Sequence, residues 1–370
     1  MNNYSSGFVP YAWLASAMLP QGKLTDLLER YESPDGVFCA FRNREPALMN
    51  LLTAAELRKL LAYSSDVVLR RMDEAMIHHE IRAFSIMDPC YPALLQEIPD
   101  PPAVLFYQGK ISCLSEKKVC IVGSRAASYN GKKATAVIAR TLSDAGVCIV
   151  SGMAGGIDSA AHAGCLDGAS PTIAVAGCGL DRVYPQGNLP LRDRILRNNG
   201  LILSEYAPGE APIGWHFPAR NRIMTGLSTA LVLMEAQARS GSMTSVRLAL
   251  DQGREVFVYP GDPSSPHFEG NHILLREGAR FFTSAADILE DLGWLDNPPV
   301  MGQNNLCASG MSGATREEQS VLDVLGAGPL GFEALLQATG MDSPALLSTI
   351  TLLQLRGFVE LLPGKMYQLK

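Results

Sequence analysis

A chain of 370 residues with 31 Lys and Arg against 37 Asp and Glu has a formal net charge of −6, which excludes a protein that coats nucleic acid through a uniformly basic surface and leaves a local basic groove open. With 47% hydrophobic and 18% charged residues, disorder and coiled coil are excluded too, and the length suits two or three domains with a sizeable core. Residues 8–19 form an apolar stretch containing Ala15-Ser16-Ala17, superficially like a signal peptide, but no Lys or Arg precedes it before Lys23 and Pro10 interrupts it. An N-terminal core helix is the better reading. Helical periodicity continues through residues 1–85 in Leu14/Met18, Leu24/Leu27/Leu28, Leu57/Leu60/Leu61 and Val67/Val68/Arg71/Met72, broken by Pro20, Ser33-Pro34-Asp35-Gly36 and Pro46. Residues 89–109 are too rich in proline for helix and read as extended chain entering the next domain.

From Val119 the texture changes to short apolar runs at residues 119–122, 147–150, 172–176, 201–203, 230–234, 255–259 and 280–282, alternating with amphipathic helical stretches. That alternation predicts an α/β fold over 86–292: an extended, Rossmann-like, doubly wound parallel sheet covered on both faces. Residues 293–314 collect Pro, Gly and Asn and read as a linker, and 315–370 read as three helices and a hairpin (359–362 and 366–369), the outline of a C-terminal winged-helix domain. The eight cysteines never form CxxC and suit a reducing compartment. His267 and His272 form a loose pair without further ligands at metal spacing, so no metal is expected. Nothing approaches the roughly 18 continuous apolar residues of a membrane span, and a cytoplasmic protein without membrane contact is expected.

In a doubly wound sheet ligands bind outside the carboxyl ends of the strands, and four segments there carry chemistry. Gly123-Ser124-Arg125 resembles half a phosphate cradle: glycine for close approach, a hydroxyl, a helix N-terminus and a bidentate cation. It also suits an ordinary strand-to-helix turn, and it is not GxGxxG, so no dinucleotide cofactor is expected. Ser151-Gly152-Met153-Ala154-Gly155-Gly156-Ile157-Asp158 suits an anion nest, with Asp158 as a helix cap and His162 one turn on, placed to hydrogen-bond it. In the segment with Gly177, Gly179, Asp181 and Tyr184, the tyrosine offers a flat face for a base. Phe217-Pro218-Ala219-Arg220-Asn221-Arg222, read as a loop, interleaves aromatics (with Trp215) and cations as a single-stranded nucleic acid channel does, and Ser240-Gly241-Ser242 follows the next strand. Between Lys117 and Ser143 stand six bases and no acid, whereas the block from Thr315 has four bases and six acids. No Walker A, GxSxG or Ser/His/acid set is readable, and Asp158, Asp181 and Glu235 stand scattered, so no catalytic residues and no cofactor are assigned.

Val122-Gly123-Ser124-Arg125, Ser151-Gly152 with Gly156-Ile157-Asp158 and His162, Gly179 with Asp181 and Tyr184-Pro185, Phe217-Pro218-Ala219-Arg220-Asn221-Arg222, and Ser240-Gly241-Ser242 with Pro260-Gly261 together resemble the DNA-processing protein A (DprA/Smf) family. The resemblance spans about 88–292, with the flanking helical (SAM-like) and winged-helix modules matching in outline. It implies a nonenzymatic protein that binds single-stranded DNA, protects incoming DNA in natural transformation, loads the RecA recombinase and forms a homodimer. It also implies a DNA site made of Gly123, Ser124, Arg125, Gly152, Gly156, Gly179, Tyr184, Phe217, Arg220, Asn221, Arg222, Ser240, Gly241 and Ser242. Family members often carry a base where Gln186 and Gly155 stand here, which should flatten the salt dependence by about 0.7 log units per lost contact unless Arg182 or Lys132/Lys133 substitute.

Two rival readings stand beside this one. A nucleotide-binding enzyme of the phosphoribohydrolase type would use the same glycines and arginines, but such enzymes share a PGGxGT run with a following Glu, and Pro260-Gly261-Asp262 does not continue that way. The winged helix could instead read double-stranded DNA. Its third helix, 344–356, carries one base, Arg356, among many leucines, which favours a packing or protein-interaction module.

Overall fold

A computed structural model of the chain describes residues 4–295, 316–326, 328–355, 358–362 and 366–369. The chain divides after Leu295 into two compact units. The first opens with α1 (Val9–Ser16), α2 (Gln21–Tyr31), α3 (Pro34–Arg42), α4 (Pro46–Met49), α5 (Ala54–Ala62) and α6 (Asp66–His78). Ser33, Thr53 and Ser65 cap α3, α5 and α6, each side-chain oxygen accepting an N–H three residues on. On α1, Trp13 is fully buried, lies 5.0 Å from Phe38 and 4.8 Å from Phe41 of α3, and donates its indole N–H to Leu60 O of α5 at 3.1 Å.

The chain then enters the sheet earlier than periodicity indicated. β1 (Arg82–Ser85), inside the expected helical module, pairs antiparallel with β2 (Val104–Gly109). Between them, the stretch expected to be extended holds a helical turn, α7 (Ala93–Gln96). Pro92 just precedes that turn, so the ring removes no N–H the helix needs.

The α/β series follows as β3 (Lys117–Val122), α8 (Tyr129–Asp144), β4 (Val147–Ser151), α9 (Ile157–Leu166), β5 (Thr172–Ala176), α10 (Leu189–Arg197) and β6 (Leu201–Ser204). It continues through α11 (His216–Gly226), β7 (Ala230–Leu233), α12 (Gly241–Asp251), β8 (Glu255–Val258), α13 (Glu269–Arg276), β9 (Arg280–Phe281) and α14 (Ala285–Asp291). The strand order is β1-β2-β6-β5-β4-β3-β7-β8-β9, parallel from β6 to β9. Neighbouring residues of one strand enter different cores: Val119 and Ile121 pack on one face with Ile149 and Val232, Cys120 and Val122 on the other with Val150 and Leu233. Both faces are covered, which is why these strands read as unbroken apolar runs. Winding reverses between β3 and β7, and that switch point is where the carboxyl-end loops diverge to opposite faces.

The second unit holds α15 (Arg316–Leu325), β10 (Leu330–Gly331), α16 (Phe332–Thr339), α17 (Ser343–Leu355), β11 (Val359–Leu362) and β12 (Met366–Leu369), with an antiparallel sheet ordered β10-β12-β11. Its core gathers Val321, Leu322, Leu325, Leu335, Leu346, Ile350, Leu353 and Val359, a winged helix. Most of the expected linker, Arg356 and the hairpin turn at Pro363-Gly364-Lys365 lie outside the described residues. Among the described residues no helix is long and apolar enough to cross a membrane.

Trp13→Ala removes the centre of the helical module and should lower its unfolding free energy by roughly 3 to 5 kcal/mol, read as a fall in the denaturant midpoint. A midpoint equal to that of the native chain would show that the module does not depend on this ring.

Candidate functional site

A cleft of about 470 Å3 opens at the switch point. Its walls are the loop after β3, the first turns of α11, and the segment from the end of β7 into α12. Of the expected residues, Gly123, Ser124, Arg125, Phe217, Arg220, Asn221, Ser240, Gly241 and Ser242 line it. Phe217 to Arg222, expected as a loop, is helical, because Pro218 falls in the first turn of α11, where a missing N–H is harmless. Arg125 is exposed, and its guanidinium sits 5.5 Å from the centre of the Phe217 ring. The Phe217 ring in turn lies 5.1 Å from Tyr184, which is 47% exposed. Cation, ring and ring thus form a ladder beside the cleft. Trp215, by contrast, leans on Tyr206 and His216 and does not line this cleft.

Two of the three expected arginines are not free cations. Arg220 is 3% exposed, donates Nη1 to Val175 O, and packs on Gly152, where a Cβ would stand 2.3 Å from that nitrogen. Burial pushes the Asp158 carboxyl up and the Arg220 guanidinium down, each against the opposing pull of the partner's charge. Arg220 therefore braces the loops, with only its flank on the cleft. Arg222 projects from the other face of α11, donating Nε to Asp100 Oδ2 at 3.0 Å and Nη1 to Glu205 Oε2 at 3.0 Å. Two carboxylates already engage it, outside the cleft.

The glycine segments bring loops together more than they hold open N–H groups. Ile157 N donates to Ser124 O at 3.1 Å and Ala154 N to Asp158 Oδ2 at 3.3 Å, so the expected anion nest is closed on its own chain. Gly156, at φ +79°, passes so close to Ser124 that a Cβ would lie 2.2 Å from its carbonyl oxygen. Gly179 donates its N–H to Glu210 O, away from the cleft. Asp158 does not cap α9, which opens at Gly156, and His162 bonds Thr172 Oγ1 at 2.7 Å instead of Asp158. The basic run also thins out. Lys118 is buried with Nζ donating to Leu114 O and Glu116 O, and Lys117 lies over the Trp294 ring; both stand at the amino end of β3, opposite the cleft. Arg182 reaches Asp181 at 3.6 Å.

Sequence reasoning missed Arg239, an exposed cation lining the cleft immediately before Ser240. Its adjacency to the Ser-Gly-Ser signal was the available clue. Among the described residues, the acid that lines the cleft is Asp158, which is 7% exposed. Among the described residues no three His, Cys, Asp or Glu side chains gather as a metal site. The arrangement presents exposed cations beside flat rings, a surface for an anion bearing planar groups.

Residues 82–293 match the family model described as DNA recombination-mediator protein A, and 311–365 match the DprA winged helix domain. The chain is 45% identical over 224 residues to DNA processing protein DprA of Streptococcus pneumoniae, covering 60% of this chain and 79% of that one. It is 34% identical over 297 residues to protein Smf of Escherichia coli, covering 79% and 78%. The X-ray structure of the Streptococcus pneumoniae protein superimposes with a TM-score of 0.65 at 37% identity, over 76% of this chain and 97% of that one. A structure of DNA processing protein A from Helicobacter pylori, described for its single-stranded DNA binding mode, gives 0.53 at 33% identity, over 58% and 96%.

Burial, followed by the Arg220 charge, pushes the His162 imidazole down to about 3 from 6.5. With the folded value below the unfolded one, its contribution to stability is complete above pH 6.5 and is lost as the pH falls toward 3, by at most about 1.4 kcal/mol per pH unit. His162→Gln should therefore flatten the fall in unfolding free energy between pH 7 and pH 5, measured in denaturant. Parallel pH profiles for the two proteins would remove His162 as the cause.

Proposed function

The chain belongs to the DNA recombination-mediator protein A family, and from that membership we propose that it binds single-stranded DNA in the switch-point cleft without making or breaking a covalent bond. The observation that carries this reading is the ladder of Arg125, Phe217 and Tyr184. A strand needs cations for its phosphates and flat faces for its bases, and each stacked base contributes roughly 1 to 3 kcal/mol. Arg125 and Arg239 hold phosphates, Ser124, Asn221, Ser240 and Ser242 add neutral contacts, and Tyr184 with Phe217 supports bases. The similarity to the Helicobacter pylori protein supports the ligand. The nonenzymatic role rests on the family membership. Protection of incoming DNA, loading of RecA onto the bound strand, a homodimer and a cytoplasmic location belong to the same proposal on the family resemblance.

Fluorescence anisotropy with a labelled oligothymidylate tests the site. Arg125→Ala should weaken binding roughly tenfold and lower the slope of log affinity against log salt by about 0.7, with Arg239→Ala acting likewise and Arg222→Ala leaving the slope unchanged. Equal affinity of the Arg125→Ala and native proteins across the salt series would sink the assignment. Tighter binding of a nucleoside monophosphate than of the oligonucleotide, by calorimetry, would favour the phosphoribohydrolase reading.

The winged helix is proposed as a protein-interaction module. α17 exposes Leu347 and Leu352, and none of its described side chains is basic. Removing residues 296–370 should then leave oligonucleotide affinity intact, and a large loss would make this domain part of the DNA site.

A further inference from the structure

Glu235, the second residue past β7, is fully buried behind the cleft and does not line it. A carboxylate held out of water is costly unless its lone pairs are used, and Glu235 uses them on the loop after β3. Its Oε1 accepts the Ser128 N–H at 2.9 Å, and its Oε2 accepts the Ser128 hydroxyl at 2.6 Å. The main-chain carbonyl of the same residue accepts the Ser124 N–H at 2.7 Å. From the segment between β8 and α13, His267 brings Nδ1 to 3.3 Å from Oε1. Gly131, in the first turn of α8, has no room for a Cβ, which would stand 2.1 Å from Oε2. Ser128 also caps α8, accepting the Gly131 N–H at 2.9 Å, so the helix start and the carboxylate share one hydroxyl.

Arg125 lies between Ser124 and Ser128, the two points at which Glu235 grips the loop, and Arg239 lies four residues beyond Glu235 on the same segment. We propose that Glu235 is a positioning residue: it locks the loop bearing Arg125 to the segment bearing Arg239, so that both cations meet one strand in fixed register. The inference rests on the single-strand binding reading of the cleft. It makes a prediction of definite sign. If Glu235 acted only through its charge, neutralising it beside a phosphate-binding cleft would tighten binding; as a positioning residue, neutralising it weakens binding, because the loop that presents Arg125 loosens.

The test measures oligothymidylate affinity by anisotropy over a salt series for the full-length native chain, Glu235→Gln, Ser128→Ala, Arg125→Ala and the Glu235→Gln/Arg125→Ala double variant, with thermal melts to fix the folded fraction. The expected result is a several-fold loss for Glu235→Gln with a salt slope lower by about 0.7, the share of one phosphate contact, and little further loss when Arg125 is already absent. Ser128→Ala, which removes a partner while leaving the carboxylate in place, should weaken binding in the same direction and serves if Glu235→Gln does not fold. Binding by folded Glu235→Gln as tight as or tighter than native, or an equal loss on the Arg125→Ala background, overturns this inference alone. A native chain that does not bind, or an Arg125→Ala variant that binds as native, overturns the binding reading and this inference with it.

Discussion

A guanidinium removed from water has to find its partners inside the protein, and Arg220 finds them at the ends of several sheet strands. Val175 O in β5 accepts from it, Asp158 in α9 supplies the opposing charge, and Gly152 after β4 clears the space it fills. Removing the Asp158 carboxylate would leave a buried charge uncompensated, which is costly. α11 is thereby pinned across the carboxyl edge of the sheet, and what its other residues do follows from that. Phe217, near the start of the helix, stands between Arg125 and Tyr184. Arg222, two residues past Arg220 and so on the opposite side of the helix, is tied to Asp100 and Glu205.

Each charge near the site belongs to one of two populations. Arg220, Arg222, Asp158 and Glu235 are largely withdrawn from water and engaged by named partners, so they set geometry. Arg125 and Arg239 are exposed on the cleft and remain available to a ligand. A net charge of −6 leaves room for an anionic ligand, because charge acts locally and Arg125 and Arg239 face the cleft. Exposed groups are also the ones whose interactions salt screens.

Much of the fold was legible in the order of residues because a strand buried on both faces leaves an unbroken apolar run and a crossover helix leaves a 3.6-residue stripe. The β3, β4 and β7 runs are such cases, and the loops flagged after β3 and before α12 do line the cleft. β1 and α7 were not legible. Four residues before a proline-rich stretch carry little periodicity, and a single turn begun at Pro92 carries none. Arg239 was hidden for a related reason: apart from standing next to Ser240-Gly241-Ser242, one exposed arginine carries no periodicity to distinguish it from an ordinary surface residue.

Residue order alone carries the doubly wound sheet, the family, and the segments that gather at the carboxyl edge, because periodicity and glycine placement are local properties of the chain. Which cations on those segments are free was decided only by the tertiary structure. Arg125, Arg220 and Arg222 are alike as letters, yet one faces the cleft, one is sealed between strand ends and one is held by two carboxylates. Burial and pairing depend on which distant groups, such as Asp158, Asp100 and Glu205, the chain brings within a few ångströms, and no spacing along the sequence encodes that distance.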